Sequence, residues 1–211
     1  MERIFAIGDI HGCMDKLGTL IDQLDIEFER DTVVFIGDYI DRGPRSFEVV
    51  EYLINFKKRY QNTIFLKGNH EDMLEKYLSG VDRFTFLANG GQQTLDSYLD
   101  QDRTPKTFPI PDSHLDFFKS LVLFSETDQY IFVHAGLKKK IPLDLQNTHD
   151  LLWIRSEFIH SDYDFGKQVV FGHTPFQEPL VLPNKIGIDT GAVYGKKLTC
   201  IKLPEIEFYQ V

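Results

Sequence analysis

The sequence predicts an α/β fold, a mixed sandwich with a parallel β-α-β-α-β opening half and a more antiparallel second half. Short apolar or β-branched segments alternate with segments of helical period in the first third, and the later apolar segments are short and separated by turn residues. A composition of 42% hydrophobic and 26% charged residues indicates a globular chain that can bury a core. With 211 residues, we expect a single domain spanning residues 1–211.

The opening half contains three predicted strands and two predicted helices. Strands are expected at residues 3–7, 32–36 and 63–66, each followed by glycine and polar residues. Helices are expected at 14–27 and 47–58, where apolar residues recur at helical spacing. Alternation of this kind predicts parallel strands joined by right-handed helical crossovers.

The rest of the chain is predicted to be a mostly helical segment followed by a series of short strands. Residues 70–118 have a mostly helical pattern, interrupted by Asn89-Gly90-Gly91 and by a proline-containing loop at 102–112, which suggests a lid or a helical insertion. Segments 121–125 and 130–133 flank turn residues and predict a hairpin. Further strands are expected at 168–171, 180–182, 185–188, 197–203 and 206–209.

Charge and hydropathy exclude several classes of protein. The 23 basic and 32 acidic side chains give a net charge of −9, which disfavours general nucleic-acid binding. No apolar segment approaches the roughly 18 residues that cross a bilayer, and the first residues lack the pattern of a signal peptide. Two cysteines are too few for a disulfide framework and fit a reducing compartment. We therefore expect a cytoplasmic protein, and the lack of a long apolar segment predicts no membrane partner.

Five polar clusters follow predicted strands. They are Gly8-Asp9-Ile10-His11-Gly12, Gly37-Asp38-Tyr39-Ile40-Asp41-Arg42-Gly43, Gly68-Asn69-His70-Glu71, His134-Ala135-Gly136 and Gly172-His173-Thr174. Because open α/β sheets bind ligands at the carboxyl ends of their strands, we expect the five loops to share one cleft.

The donors in these loops predict a metal centre. Carboxylate, amide and imidazole groups together suit manganese, iron or zinc, and the absence of thiolate argues against a structural zinc cage. Two ions fit this donor set better than one, and a carboxylate could then bridge them at about 3.5–4 Å. Asp38 is our candidate for the bridge. The full set of candidate ligands is Asp9, His11, Asp38, Asn69, His134 and His173.

Three further residues of the same loops have the chemistry of phosphoryl transfer. Arg42 carries a planar guanidinium that can bind two phosphate oxygens. His70 could donate a proton to the leaving oxygen, with Asp41 orienting and charging its ring. Two divalent ions would attract an anionic substrate in spite of the negative net charge.

These loops resemble the signature loops of the phosphoprotein phosphatase branch of the calcineurin-like metallophosphoesterases, which includes lambda phage phosphatase and small bacterial serine/threonine phosphatases. The resemblance rests on the first three clusters, followed in order by His134 and His173. It implies a four-layer β-sandwich flanked by helices, a two-metal site with manganese the first choice, and in-line attack by metal-bound water. It also points to Arg155 as a second phosphate clamp.

The resemblance assigns each candidate ligand to an ion. One ion would take Asp9, His11 and Asp38. The other would take Asp38, Asn69, His134 and His173.

The most specific function that we predict is hydrolysis of phosphoserine or phosphothreonine in proteins. A sister group, the symmetrical diadenosine tetraphosphate hydrolases, tends to have alanine at the place of Asp41 and aspartate at the place of Glu71, so these two residues favour the phosphatase branch. Symmetrical dinucleotide cleavage and a catalytically silent metal-binding module are the alternatives, and a small phosphate ester could replace the phosphoprotein as substrate. Ile40 stands where the family usually has valine, and the chain is much shorter than the eukaryotic catalytic subunits.

Each residue also has a simpler interpretation. Asp9, Asp38 and Asn69 could be helix caps or turn residues, and the two histidines could be strand-end residues with hydrogen-bond partners. Arg155 could pair with Glu157 or stack on Trp153. Asp189 could support a ligating histidine or form a turn. Three phenylalanines could pack the core or contact a substrate base: Phe84, Phe86 and Phe108.

Overall fold

Two five-stranded mixed sheets pack face to face in the computed structural model, which describes residues 3–27, 29–99 and 110–211. In chain order the strands are β1 (Ile4–Ile7), β2 (Thr32–Phe35), β3 (Thr63–Phe65), β4 (Phe124–Glu126), β5 (Tyr130–Val133), β6 (Gln168–Phe171), β7 (Leu180–Leu182), β8 (Lys185–Gly187), β9 (Thr199–Leu203) and β10 (Glu207–Gln210).

The two sheets differ in how the chain builds them. The first has the order β10-β9-β1-β2-β3, with β1, β2 and β3 parallel and β9 antiparallel to both β1 and β10. The second has the order β4-β5-β6-β8-β7, with a parallel centre and an antiparallel strand at each edge. The predicted parallel opening half and more antiparallel second half are therefore confirmed.

Helices cover the outer face of each sheet. They are α1 (Met14–Gln23), α2 (Ser46–Arg59), α3 (Asn69–Leu78), α4 (Phe84–Phe86), α5 (Gln92–Leu99), α6 (Asp112–Ser120), α7 (Thr148–Trp153) and α8 (Ser156–Ile159). A π-helical turn, Leu87–Gly91, joins α4 to α5, and 3-10 turns lie at Leu143–Leu145 and Ala192–Tyr194.

The alternation of side chains along the strands creates the layers. Phe5 and Ile7 of β1 point to the helices of the first sheet, whereas Ile4 and Ala6 point into the core between the two sheets. On the second sheet, Phe171 packs against α7 and α8. Helix, sheet, sheet and helix layers result, as the predicted four-layer sandwich requires.

Several predicted boundaries shift in the structure. Helix α1 ends at Gln23 and not at residue 27, since Leu24 is extended and the last turn has no basic side chain to complement the helix dipole. Helices α3 to α6 form the predicted helical insertion. Most of the predicted loop at 102–112, and with it Phe108, lies outside the described residues. Within the described part of the chain, no helix is both long and apolar enough to cross a bilayer.

Candidate metal centre and catalytic site

The five predicted loops meet at one end of the sandwich. They follow the carboxyl ends of β1, β2 and β3 in the first sheet and of β5 and β6 in the second. All six candidate ligands are buried there. The site therefore depends on both sheets, because His134 and His173 come from the second and the other candidate ligands from the first.

Asp38 lies at the centre of the site. Its Oδ1 is 3.4 Å from His134 Nε2, and its Oδ2 is 3.5 Å from His11 Nε2 and 3.9 Å from His70 Nε2. Potential ligand atoms form two groups within which all distances are below 4.8 Å: one is His11, Asp38 and His70, and the other is Asp38, His134 and His173. Asp38 is common to both groups, which is the arrangement that a bridging carboxylate needs.

Backbone contacts orient two of the imidazoles. His134 Nδ1 lies 3.0 Å from the Ile36 carbonyl, and His11 Nδ1 lies 2.8 Å from the Ile40 carbonyl. A carbonyl oxygen can only accept, so in each neutral ring Nδ1 carries the proton and the Nε2 lone pair faces the site. A cation is the group that such lone pairs bind.

Asn69 adds an amide oxygen to the second group. Its Oδ1 is 3.0 Å from His134 Nε2 and 2.8 Å from His173 Nδ1. Asn69 is the first residue of α3 and Gly68 is the N-cap, so the side chain of Asn69 does not take the capping role. Instead, Asp38 Oδ1 accepts a hydrogen bond from the His70 backbone at 3.1 Å, which ties the β2 loop to the start of α3.

Burial and neighbouring charges tune the ligands for metal binding. Burial lowers the pKa of His11 to about 3 and also lowers the pKa of His134 and His173, so these rings are neutral at pH 7. Burial alone would raise the pKa of Asp38, but the surrounding histidines hold it well below its usual range. Neutral imidazole and ionised carboxylate are the forms that bind metals.

Unpartnered atoms give a direct test of whether metal ions fit. Among the described residues, His70 Nε2 and His173 Nε2 are buried and have no hydrogen-bond partner. Buried nitrogens without partners are costly. Burial, together with the charges of Asp189 and Asp38, also raises the pKa of Asp9 well above its usual range. A divalent cation would satisfy His173 Nε2 and stabilise the ionised form of Asp9, so the residues present fit a metal centre.

Asp9 lies beside the two groups rather than within them. Both of its carboxylate oxygens accept a hydrogen bond from the His173 backbone N–H, at 3.1 and 3.0 Å. Among the described residues, His70 takes the place in the first group that the resemblance gives to Asp9. The His173 amide holds the carboxylate of Asp9 in this position and leaves further lone pairs of its oxygens able to bind a cation.

His70 and Asp41 form a buried pair. His70 Nδ1 is 2.6 Å from Asp41 Oδ2. Burial lowers the pKa of His70, but Asp38 and Asp41 together raise it above its usual value. Asp41 is held in turn by α5, where the Thr94 hydroxyl donates to Asp41 Oδ1 at 2.6 Å and accepts from the Asp41 backbone at 2.8 Å. The carboxylate therefore fixes the ring and leaves His70 Nε2 facing the site.

The two arginines approach the site from different directions. Arg42 Nη1 is 2.8 Å from His11 Nε2, and the Arg42 backbone N–H donates to the Gly90 carbonyl at 3.0 Å. Gly90 has φ 95°, and a Cβ there would lie 2.7 Å from Arg42 Cγ, so the position requires glycine. The sequence marked Gly90 only as a helix break.

Arg155 contacts the loop that carries His173. Its Nη1 donates to the His173 carbonyl at 2.9 Å and to Thr174 Oγ1 at 3.2 Å. Glu157 pairs instead with Lys138, at 2.7 Å, so the alternative pairing of Arg155 with Glu157 is wrong. An exposed guanidinium beside a candidate ligand is free to bind an anion.

The carboxylate of Glu71 joins two metal loops. Its Oε2 accepts from the backbone N–H groups of Asp38 and Gly68 at 3.0 and 2.9 Å, and its Oε1 accepts from Tyr39 at 2.8 Å. No local sequence pattern predicts these contacts of Glu71, because two of the three backbone donors lie more than 30 positions away. The bond from the Gly68 N–H is the half of a capping box that a glutamate at the third helical position forms, and Gly68 has no side chain to form the other half.

Asp189 forms a turn next to the site. Its Oδ1 accepts from the Gly191 backbone at 2.9 Å, and burial raises its pKa to about 6. The turn interpretation of Asp189 is therefore correct. Phe86 is fully buried against Tyr77, so it packs the core as the simpler interpretation predicts, whereas Phe84 is exposed.

Backbone strain is concentrated in these loops. Within the described residues, seven non-glycine residues have positive φ, and five of them belong to the site. Such conformations are sparsely populated and are typical of functional sites. The five are His11, Asp38, Asp41, Arg42 and His173.

Comparison with known proteins agrees with this geometry. The family model for calcineurin-like phosphoesterases matches residues 2–200. The chain is 28% identical to the asymmetrical bis(5'-nucleosyl)-tetraphosphatase PrpE of Halalkalibacterium halodurans, over 97% of this chain and 92% of that protein. It is 30% identical to the enzyme of the same name from Oceanobacillus iheyensis, over 99% and 92%.

A solved structure shares the fold over the whole length of this chain. The crystal structure of a protein provisionally named a diadenosine tetraphosphatase superposes with a TM-score of 0.76 and 24% identity, covering 100% of this chain and 93% of that one. The two curated relatives carry the name of dinucleoside tetraphosphatases and not of serine/threonine phosphatases, so they do not support the specific branch that the loops suggest. The match over residues 2–200, together with the two-sheet fold, shows that this chain belongs to the calcineurin-like phosphoesterase family.

Proposed function

We propose that this protein is a two-metal phosphoesterase that cleaves dinucleoside tetraphosphates asymmetrically, into a nucleoside triphosphate and a nucleoside monophosphate. The observation that carries the phosphoesterase chemistry is the position of Asp38, which is common to two groups of imidazole ligands. The choice of substrate is supported by relatives that cover nearly the whole chain and are named for this reaction.

Two divalent cations complete the proposed site, with manganese the first choice and iron or zinc as alternatives. One would be held by Asp9, His11 and Asp38, and the other by Asp38, Asn69, His134 and His173. Bound there, they would neutralise charge on phosphate oxygens and make water nucleophilic at neutral pH.

The protein's own residues would bind and orient the substrate. Arg42 and Arg155 would each bind oxygens of the reacting phosphate, and their positions beside His11 and His173 support this assignment. His70 would donate a proton from Nε2 to the leaving oxygen, while Asp41 holds Nδ1. Glu71 would hold the loops after β2 and β3 in fixed positions relative to each other.

Hydrolysis of phosphoserine or phosphothreonine in proteins is the second candidate. The His70–Asp41 pair favours it, because an alkoxide leaving group needs a proton far more than a polyphosphate leaving group does. The same buried pair argues against a catalytically silent module, since a module that only binds metal needs no proton donor.

A comparison of three substrates tests the proposal. With manganese present, turnover of diadenosine tetraphosphate, a phosphoserine peptide and an aryl phosphate is measured, and the dinucleotide products are separated by chromatography. We expect ATP and AMP from the dinucleotide, at a kcat/KM well above that for the peptide. Two molecules of ADP would indicate symmetrical cleavage, and faster turnover of the peptide would establish the second candidate. Each of these results would contradict the proposed substrate or its mode of cleavage.

A further inference from the structure

An exposed aromatic ring stands beside the candidate phosphate clamp. Tyr194 is 57% exposed, and Arg42 Cζ lies 5.8 Å from the centre of its ring. Arg42 Nη1 in turn reaches His11 Nε2 at 2.8 Å. Ring, guanidinium and imidazole therefore form a row that leads from the solvent to the first group of candidate ligands.

The turn that carries Tyr194 is well anchored. The Tyr194 backbone N–H donates to the Gly191 carbonyl at 2.9 Å, and the Gly191 N–H donates to Asp189 Oδ1 at 2.9 Å. Ala192 of the same turn is buried in the core. The ring is thus presented on an anchored turn beside a candidate phosphate clamp, as a binding group requires.

We propose that Tyr194 is a stacking platform for a nucleobase of the substrate, with Arg42 binding the adjoining phosphate. This inference rests on the proposed function. An aromatic ring stacks on any base, and such stacking is typically worth a substantial gain in affinity. The guanidinium of Arg42 lies over the ring, while more than half of the side chain stays open to solvent. A ligand that joins a base to a phosphate through a ribose matches this pairing.

The platform is a different residue from those that the sequence suggested. Phe84, Phe86 and Phe108 are the aromatic residues that were considered for base contact, and Phe86 is buried in the core. Phe108 lies outside the described residues, and Phe84 is on α4, whereas Tyr194 directly contacts a candidate phosphate clamp.

Two ligands that differ only in the base test this inference. The affinity of AMP and of ribose 5-phosphate is measured by calorimetry with manganese, for wild type, Tyr194→Ala, Tyr194→Phe and Tyr163→Ala. Tyr163 is a matched control, an exposed tyrosine on the segment that leads into the opposite end of β6 from His173. We expect wild type, Tyr194→Phe and Tyr163→Ala to prefer AMP by about 5- to 150-fold. In Tyr194→Ala this preference should fall to about 1.

The outcomes separate this inference from the proposed function. An AMP preference that survives in Tyr194→Ala, or that is absent from wild type, overturns the platform. An equal loss of affinity for both ligands also overturns it, because Tyr194 would then only position Arg42. If wild type leaves diadenosine tetraphosphate intact but its AMP preference depends on Tyr194, the proposed substrate is wrong and the platform stands.

Discussion

His70 has its two ring nitrogens in different situations. Nδ1 is fixed 2.6 Å from Asp41, while Nε2 is buried, unpartnered among the described residues and 3.9 Å from Asp38 Oδ2. Nε2 could therefore bind a metal or hold a proton. The pKa of His70 argues for the proton, because Asp38 and Asp41 raise it in spite of burial, whereas the pKa of His11, His134 and His173 is lowered.

Replacing His70 by asparagine tests this assignment. We expect His70→Asn to keep the metal content of wild type and to lower kcat for a phosphoserine peptide by about 10²- to 10⁴-fold, the cost of losing a general acid. The loss should be much smaller for nitrophenyl phosphate and for diadenosine tetraphosphate, because their leaving groups are stable anions. Steady-state kinetics on the three substrates, with metal analysis of each preparation, make the comparison.

Loss of bound metal in His70→Asn would instead identify His70 as a ligand. An equal loss of kcat for all three substrates would also refute its role as a proton donor.

At the scale of elements, Glu71 connects the loop after β2 to the start of α3. Its three backbone hydrogen bonds, from Asp38, Tyr39 and Gly68, fix the directions of the loops that carry Asp38 and Asn69. Burial raises the pKa of Glu71 to about 7, whereas these backbone donors favour its ionised form, and hydrogen bonds to an ionised group are among the stronger ones in proteins. Glu71 is therefore a positioning residue, which acts on the site through the ligands.

Substituting glutamine for Glu71 should weaken both the fold and the metal site. The amide nitrogen of glutamine cannot accept from a backbone N–H, so at least one hydrogen bond is lost. We expect Glu71→Gln to lower the free energy of unfolding by about 1.5–3 kcal/mol and manganese affinity by about 10- to 100-fold. Glu75→Gln is the matched control, because Glu75 is an exposed residue of the same helix and its carboxylate pairs with Lys67.

Chemical denaturation and calorimetric metal titration measure the two effects. If Glu71→Gln binds manganese as tightly as Glu75→Gln, the carboxylate does not organise the site.

The loops around the site show which features a sequence can reveal and which it cannot. Glycine and polar residues after each strand located the candidate ligands, because that signal is local and depends on strand ends alone. The hydrogen bonds of Asp41 to Thr94 and of Tyr39 to Glu71 join residues 53 and 32 positions apart, so no local pattern contains them. Gly90 likewise looked like a helix break until its contact with Arg42 was visible.

At the scale of the whole molecule, the sandwich brings ligands from two sheets to one edge. Packing between the sheets buries Asp9, Asp38 and Asp189 together, and burial together with the mutual repulsion of these carboxylates raises the pKa of Asp9 and Asp189. Closely placed buried carboxylates need a cation or protons. The fold itself therefore favours metal binding, and the net charge of −9 acts in the same direction. The cytoplasmic location, the single domain and the lack of a nucleic-acid partner remain predictions.

The most direct test of the two-metal site is the metal content and activity of Asp38→Asn, since Asp38 is the one described residue common to both groups of ligand atoms. Asp128→Asn, which removes a carboxylate at the far end of the second sheet, is the control. After dialysis against manganese and removal of free metal, elemental analysis should find two ions per chain in wild type and in the control, and at most one in Asp38→Asn. Hydrolysis of diadenosine tetraphosphate should be lost together with the metal. Full activity in chelated wild-type protein, or two ions and full activity in Asp38→Asn, would contradict the two-metal site.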